Sequence, residues 1–148
     1  MKVIVQIVNY AKLHSEGKES SIGRGLLVTI GASMQDTMED LKYIARKVSN
    51  LRIFKDEAGK MTRSIIDEGG DVMVVSNFTL QARIGSGTRP DFSKAGSSER
   101  ALELYERLIE EFKEQGVRNV ASGHFKHHMH IECELDGPIN IILESEGR

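Results

Sequence analysis

The apolar residues of this sequence are concentrated in short runs that have the length of β-strands. Lys2 to Val8 and Gly25 to Ile30 are rich in Val, Ile and Leu, and the second run lies between Gly23 and Gly31. The run from Val72 to Val75 follows a glycine-containing turn and has the same character. Short apolar runs bounded by turn residues are typical of strands buried in a sheet. The sequence therefore predicts a sheet-based fold, with residues 72 to 75 in a central strand.

Two other segments repeat their apolar residues at helical spacing. The first runs from about residue 37 to 50, and Asp36 with Glu39 three residues later is typical of a helix start. The second runs from about Ser98 to Gln115 and is followed by Gly116, a frequent helix C-terminal residue. The apolar stripes are Met38, Leu41, Ala45, Val48 and Leu51 in the first, and Ala101, Leu104, Tyr105, Leu108, Ile109 and Phe112 in the second.

The chain ends in two more predicted strands, from about His127 to Leu135 and from Ile139 to Glu144, joined by a turn at residues 136 to 138. These elements together predict the α+β class: a compact, mostly antiparallel β fold with barrel-like sheets and two amphipathic helices. No repeat or linker divides the sequence, so residues 1 to 148 are expected to form a single domain.

Charge and cysteine content restrict the function. The chain has 20 Lys and Arg against 22 Asp and Glu, a formal net charge of -2. Binding along nucleic acid by charge alone needs many cationic phosphate contacts, so only a local contact with a nucleic acid end is compatible with this balance. One cysteine, no signal peptide and no apolar run of membrane-spanning length predict a cytoplasmic protein with no membrane contact.

Two short motifs are candidates for contact with a ligand. Residues 76 to 80, Ser-Asn-Phe-Thr-Leu, follow the predicted central strand, where hydroxyls, an amide and free backbone N–H groups can converge. The alternative is a strand end whose hydroxyls bond the local backbone. Gly137-Pro138 is either a tight turn or a rigid element presented to a ligand. The residues alone leave both alternatives open.

The histidines and a basic loop are further candidates for binding a ligand, either a metal ion or a phosphate. On a strand, His124, His128 and His130 would share one face, but no Cys or carboxylate stands at the spacing of a zinc motif, so no metal or other cofactor is predicted. A solvated strand face explains the pattern equally. Residues 83 to 97 form a long loop that carries Arg89 and Lys94, available to a phosphate or to solvent. Cys133 is expected to be a small core residue.

Several motifs, in order, resemble those of the D-aminoacyl-tRNA deacylases, formerly called D-tyrosyl-tRNA deacylases. The matching segments are residues 51 to 61, Gly69-Gly70, residues 74 to 80, residues 87 to 95, Ala101, Leu104-Tyr105, Gly123, Phe125, Met129 and residues 136 to 138. The resemblance covers essentially the whole chain. It implies a homodimer of a compact β fold, with active sites at the dimer interface, that hydrolyses the ester joining a D-amino acid, and often glycine, to the 3′-terminal adenosine of tRNA.

The resemblance also implies roles for individual residues. Ser76, Phe78 and Thr79 correspond to the catalytic segment, with the backbone N–H groups of Phe78 and Thr79 as donors and the RNA's own 2′-hydroxyl in place of a side-chain nucleophile. Asn77 and Met129 correspond to substrate-binding positions. Gly137 and Pro138 correspond to a cis dipeptide that reaches over from the partner subunit and excludes L-amino acids.

The departures from the family pattern cluster around the expected site. They are Ile7 in place of an Arg, Asn77 in place of a Gln, Lys126-His127 in place of Gly-Ala, and Leu135 and Asn140 in place of the Asn and Thr that flank Gly-Pro. We expect the Gly137-Pro138 segment to lose polar support as a result. The alternative function is a divergent paralogue with altered specificity, or a non-catalytic protein that binds tRNA, a nucleotide or a metal.

Overall fold

A computed structural model of the chain describes residues 1–145. Twelve elements follow one another within these residues. They are β1 (Lys2–Ser15), β2 (Lys18–Ile22), β3 (Gly25–Gly31), α1 (Met38–Ser49), β4 (Phe54–Lys55), β5 (Met61–Arg63), α2 (Ile65–Glu68), β6 (Asp71–Ser76), a 3-10 turn (Phe78–Gln81), α3 (Ser98–Glu114), β7 (Asn119–Ser122) and β8 (His130–Glu144). The α+β class and the two amphipathic helices, α1 and α3, are confirmed.

The main sheet is organised around β1. One edge of β1 pairs antiparallel with β8, and the other edge pairs antiparallel with β3 in its first half and β2 in its second. Beyond β3 the sheet continues with β6 and β7, both parallel to their neighbours. Parallel pairs need crossover connections, and the helices supply them: α1 and α2 lie between β3 and β6, and α3 lies between β6 and β7. The run at residues 72 to 75 is therefore an interior strand, as predicted, and its residues are fully buried.

Strand β1 contributes to apolar clusters on both faces of the sheet. Its alternation of buried residues changes phase twice, between Ile7 and Val8 and again between Val8 and Ala11. The register between β1 and β8 is irregular on both sides of Val8, between Gln6 and Val8 and between Val8 and Tyr10. A change of one residue in phase moves the following side chains to the opposite face, and the second change keeps Ala11 and Leu13 on the same face as Val8. Residues before the first change accordingly join the larger cluster with α1 and α3, and Val8, Ala11 and Leu13 join a smaller cluster.

The helices cover the larger cluster. Thr37 and Asp40 form a capping box at the start of α1, one residue later than the sequence pattern suggested. Leu41 and Ile44 of α1, with Leu108 and Phe112 of α3, have no exposed surface. Burial of side chains of this size contributes about 1.5–3 kcal/mol each, so this face supplies much of the stability. No helix in the described residues is long and apolar enough to cross a membrane.

Several boundaries differ from the sequence-based predictions. Strand β1 continues to Ser15 because a hairpin turn at Glu16-Gly17 returns it to β2. The short α2 was not predicted. The two expected C-terminal strands are one 15-residue strand, β8, because both halves pair with β1. Residues 123 to 129 lie before β8 and outside any strand, so the predicted strand start at His127 is wrong by three residues.

Candidate active site

A cavity of about 730 Å³ opens beside the ends of two parallel strands. Ile30 of β3 and Ser76 of β6 are the last paired residues of these strands, and both line the cavity. Ligands commonly bind in a crevice outside the carboxyl ends of parallel strands. The start of α3, part of the loop at residues 83 to 97, and residues 125 to 129 close the remaining sides. The topology therefore brings together segments that are far apart in the sequence.

Four of the seven residues predicted for the site line this cavity. They are Ser76, Asn77, Phe78 and Met129. Thr79 is exposed in the 3-10 turn and is not part of the lining, and Gly137 and Pro138 lie on β8, away from the cavity of their own chain. The segment that follows β6 thus occupies the position expected of a ligand-binding segment.

The side chain of Asn77 caps the 3-10 turn. Its Oδ1 accepts hydrogen bonds from the Thr79 backbone N–H at 3.1 Å and from the Thr79 hydroxyl at 2.5 Å. The Asn77 N–H donates to the Ile30 carbonyl at 2.6 Å, which ties the turn to β3. The first N–H groups of a helical turn have no partner within the turn. Because Asn77 engages the Thr79 N–H, the N–H of Phe78 is the donor that this geometry leaves for a ligand.

Tyr105 of α3 lies at the floor of the cavity. Its hydroxyl donates to the Val74 carbonyl at 2.8 Å and lies 3.3 Å from the Gly123 carbonyl. Burial raises the pKa of Tyr105 to about 12. The phenol is therefore protonated throughout the physiological range, and it holds α3 against β6 rather than exchanging a proton with a ligand. Its ring also packs against Phe125, with centroids 5.7 Å apart.

Two aromatic rings stand at one side of the cavity. Phe78 is 59% exposed and Phe92 is 37% exposed, and the rings meet edge to face with centroids 5.1 Å apart. Phe92 belongs to the long loop, which is fastened to the end of β3 by a bridge between Ser33 and Ala95. The loop thus contributes to the cavity through Phe92 and Ala95, while Arg89 and Lys94 are exposed and are not part of the lining.

The wall at residues 126 to 128 is attached to the turn between β1 and β2. Ser15 donates from Oγ to the His128 carbonyl at 2.6 Å, and Nδ1 of His127 lies 2.8 Å from Oε2 of Glu16. Lys126 has a φ of 65°, a left-handed conformation that is uncommon outside glycine. Sequence reasoning did not single out Ser15 or Glu16, because each acts on a segment about 110 residues away.

The expected array of histidines on one strand face is wrong. His124 and His128 lie in the turn before β8, and His130 is its first residue. The His124 ring stacks on His127 with centroids 3.5 Å apart, so ring contacts replace the period-two arrangement. Within residues 1–145, no three His, Cys, Asp or Glu side chains are grouped to hold a metal ion. Cys133 is half-buried beside the smaller apolar cluster.

The Gly137-Pro138 segment protrudes from β8. Leu135 pairs with Val8 and Asn140 with Gln6, so residues 136 to 139 stand opposite Ile7 alone. Such an excess of residues forces one strand to bulge away from its neighbour. The peptide bond between Gly137 and Pro138 is cis, as the family resemblance implied, and both residues are exposed.

Polar contacts hold both sides of this bulge. Arg24 donates from Nη1 to Oδ2 of Asp136 at 2.9 Å, and Gln6 donates from Nε2 to Oδ1 of Asn140 at 2.7 Å. The expectation that the segment loses polar support is therefore wrong. Asn140 is itself a support, and Ile7 is 2% exposed, in the core. No local motif marks Arg24, because its partner is 112 residues away.

Comparison with known proteins extends these observations. Residues 4–144 match the family model described as D-Tyr-tRNA(Tyr) deacylase. A protein of Clostridium botulinum (strain Loch Maree / Type A3) named D-aminoacyl-tRNA deacylase is 45% identical over 147 residues, 99% of this chain and 98% of that relative. A protein of the same name from Parabacteroides distasonis is 42% identical over 149 residues, 100% of this chain and 99% of the relative.

Solved structures show the same fold. The c-Myc DNA Unwinding Element Binding Protein superimposes with a TM-score of 0.91 at 37% identity, over 97% of this chain and 98% of the other. A probable eukaryotic D-amino acid tRNA deacylase superimposes with a TM-score of 0.86 at 17% identity, over 96% and 97% of the two chains. With the family model matched over nearly the whole sequence, the chain belongs to the D-Tyr-tRNA(Tyr) deacylase family.

Proposed function

We propose that this protein hydrolyses the ester bond of D-aminoacyl-tRNA, and of glycyl-tRNA, to release the free amino acid and tRNA. The observation that carries the proposal is the Ser76-Asn77-Phe78 segment at the mouth of a cavity of about 730 Å³, in a chain of this family. Pockets of about 300–1,000 Å³ hold ligands of the size of an aminoacylated nucleoside. Such a reaction removes wrongly charged tRNA before translation, and we place the protein in the cytoplasm, where charged tRNA is used.

The chemistry requires little from side chains. An aminoacyl ester is an activated substrate, so orientation and stabilisation of the developing oxyanion supply much of the rate. The Phe78 N–H is the donor for the oxyanion, while Asn77 holds the turn that aims it. Ser76 and Met129 shape the cavity around the substrate. Thr79 contributes through its two hydrogen bonds to Asn77, and the 2′-hydroxyl of the terminal ribose assists the attack on the ester.

The active form is a homodimer in which Gly137-Pro138 of one subunit reaches the cavity of the other. Two features support this arrangement. Gly137 and Pro138 are exposed on a bulge and are not part of the cavity of their own chain. The outer strand β8 also carries exposed apolar residues, of which Leu135 is 42% and Ile142 is 69% exposed. A long outer strand with apolar side chains is a template for association. A backbone segment placed against the substrate Cα would clash with an L side chain and spare a D side chain.

A deacylation time course tests the proposal. D-tyrosyl-tRNA, L-tyrosyl-tRNA and glycyl-tRNA are incubated with catalytic amounts of the protein, and the remaining ester is measured. We expect the D-tyrosyl and glycyl esters to be hydrolysed and the L-tyrosyl ester to remain intact. Pro138→Ala is expected to raise hydrolysis of the L ester. Failure of the wild-type protein to release D-tyrosine faster than the uncatalysed rate would contradict the proposed activity.

A further inference from the structure

The charges that line the cavity are of one sign. Of the described residues in the lining, Lys126 carries a full positive charge at neutral pH, and none is an Asp or Glu. The other ionisable groups there are His127, His128 and the protonated phenol of Tyr105. Glu16 lies 2.8 Å from His127 and compensates any charge on that imidazole. Lys126 takes part in no ion pair within residues 1–145, so its charge is available to a ligand.

The backbone at Lys126 is unfavourable for a lysine. Within the described chain, Glu16 and Lys126 are the residues other than glycine with positive φ, at 44° and 65°. They lie in the two segments that the His127–Glu16 contact joins. A side chain in the left-handed region is strained relative to the right-handed region, and glycine avoids this strain because it has no Cβ. An exposed cation is therefore held at the rim of a cavity at a position where glycine would be more stable.

We propose that Lys126 binds the phosphate on the 5′ side of the terminal adenosine of the substrate. This inference rests on the proposed function, since it places the RNA chain relative to the ester. The aminoacyl end of D-tyrosyl-tRNA or glycyl-tRNA carries an α-ammonium group and no anion, so Lys126 repels that end. The phosphodiester is the nearest anion of the substrate. Ionic contacts to phosphate fix the register of a nucleic acid without reading its bases.

The position of Lys126 also orients the substrate within the cavity. The ester lies at the Ser76 and Phe78 end, where the backbone donor is found, and the RNA leaves past residues 126 to 128. The attachments of Ser15 to the His128 carbonyl and of Glu16 to His127 hold this wall from outside. A net charge of -2 prevents strong non-specific binding, so one well-placed cation at the exit makes a measurable difference.

Binding of non-hydrolysable ligands tests the inference without relying on catalysis. The probes are 3′-(D-tyrosylamino)-3′-deoxyadenosine and its 5′-monophosphate, which differ only in the phosphate. Affinities are measured by calorimetry for the wild type, Lys126→Met, Lys126→Gly, Lys126→Arg and the control Lys60→Met. Lys60 stands in the turn between β4 and β5 and is exposed, outside the cavity lining. Lys126→Gly relieves the backbone strain, so its loss of affinity cannot come from misfolding.

For the wild type we expect the phosphate to tighten binding about 1.5- to fivefold, the range of a partly exposed ionic contact. This increment disappears in Lys126→Met and Lys126→Gly, and persists in Lys126→Arg and Lys60→Met. For a tRNA analogue, the slope of log affinity against log salt falls by about 0.7 when Lys126 is removed, the value for one phosphate on a single strand.

Any one of three results would overturn the inference. The first is that the 5′-phosphate has no effect on the affinity of the wild type, and the second is that Lys126→Met weakens the binding of both probes equally. The third is that the gain in affinity from the phosphate survives in both Lys126→Met and Lys126→Gly. Absence of D-tyrosyl-tRNA hydrolysis by a wild-type protein that still shows the phosphate increment would instead reject the proposed activity and leave the assignment of Lys126 intact.

Discussion

Arg24 donates a hydrogen bond from Nη1 to Oδ2 of Asp136 at 2.9 Å, next to the exposed Gly137-Pro138 segment. The same guanidinium donates to Oδ1 of Asn9 at 2.8 Å and pairs with Glu68 at 3.2 Å. The contacts with Asp136 and Glu68 raise the pKa of Arg24, with the hydrogen bond to Asp136 as the main cause. One side chain thus fastens the Gly137-Pro138 bulge to the turn between β2 and β3.

Arg24→Met is expected to affect selectivity more than stability. The Arg24–Asp136 pair is about half exposed, so its loss costs about 0.2–1 kcal/mol of unfolding free energy. Without the contact between Arg24 and Asp136, we expect the bulge to be oriented less well. The ratio of D- to L-tyrosyl-tRNA hydrolysis is then expected to fall about tenfold. Arg63→Met is the control, because Arg63 also pairs with Glu68 but makes no contact with Asp136. Equal ratios in the two variants would contradict the role of Arg24.

Asn77→Ala removes the cap of the 3-10 turn. Loss of such a cap costs about 0.5–2 kcal/mol, and the turn that carries the Phe78 N–H becomes less well ordered. We expect kcat on D-tyrosyl-tRNA to fall about tenfold or more with KM changed less, because the interaction matters most in the transition state. Asn77→Asp keeps the acceptor oxygen and is expected to retain most of kcat. A fall in kcat of the same size in both variants would contradict the capping role.

We expect the free energy of unfolding to fall at high pH because of Tyr105. Its pKa is raised from 10.0 to about 12 in the folded state, so only the unfolded protein loses this proton between these values. The protonated phenol therefore stabilises the fold fully below pH 10, and that contribution declines as the pH rises towards 12, by about 2–3 kcal/mol in total. Denaturant unfolding of the wild type and of Tyr105→Phe at pH 8 to 12 measures this decline in the free energy of unfolding.

In Tyr105→Phe this decline should be absent. At pH 8 the variant is expected to be about 0.5–1.5 kcal/mol less stable, from loss of the hydrogen bond to Val74. Parallel stability curves for the two proteins above pH 10 would show that Tyr105 titrates normally.

Ile142→Lys tests the association through β8. Ile142 is 69% exposed, so a lysine there is tolerated by the isolated chain. If β8 forms the dimer interface, the added charge shifts the protein to monomers and abolishes activity, since each cavity loses its partner's Gly137-Pro138. Light scattering at micromolar concentration and a deacylation assay measure both effects. Met61→Lys is the control, an exposed apolar residue on β5. A dimeric, fully active Ile142→Lys protein would locate the interface elsewhere.

Elements with strong local patterns could be predicted from the sequence alone. The helical spacing of Leu104, Leu108 and Phe112 predicted α3, and the apolar run at residues 72 to 75 predicted an interior strand, because both signals depend on neighbours within a few residues. The family motif at residues 76 to 80 likewise predicted a ligand-binding segment after β6, because the motif consists of neighbouring residues. The histidine array failed because a left-handed residue, Lys126, turns the chain where an alternating pattern suggested a strand.

Contacts between residues far apart in the sequence depend on the tertiary structure and could not be predicted. The pairing of β1 with β8 sets Ile7 against the bulge at Gly137-Pro138, and the close approach of Arg24 to Asp136 follows from that register. The attachment of the β1–β2 turn to the cavity wall and the placement of Lys126 at its rim likewise depend on chain segments about 110 residues apart. Local periodicity carries no record of register between such segments, because register is selected by the packing of the whole sheet and its helices.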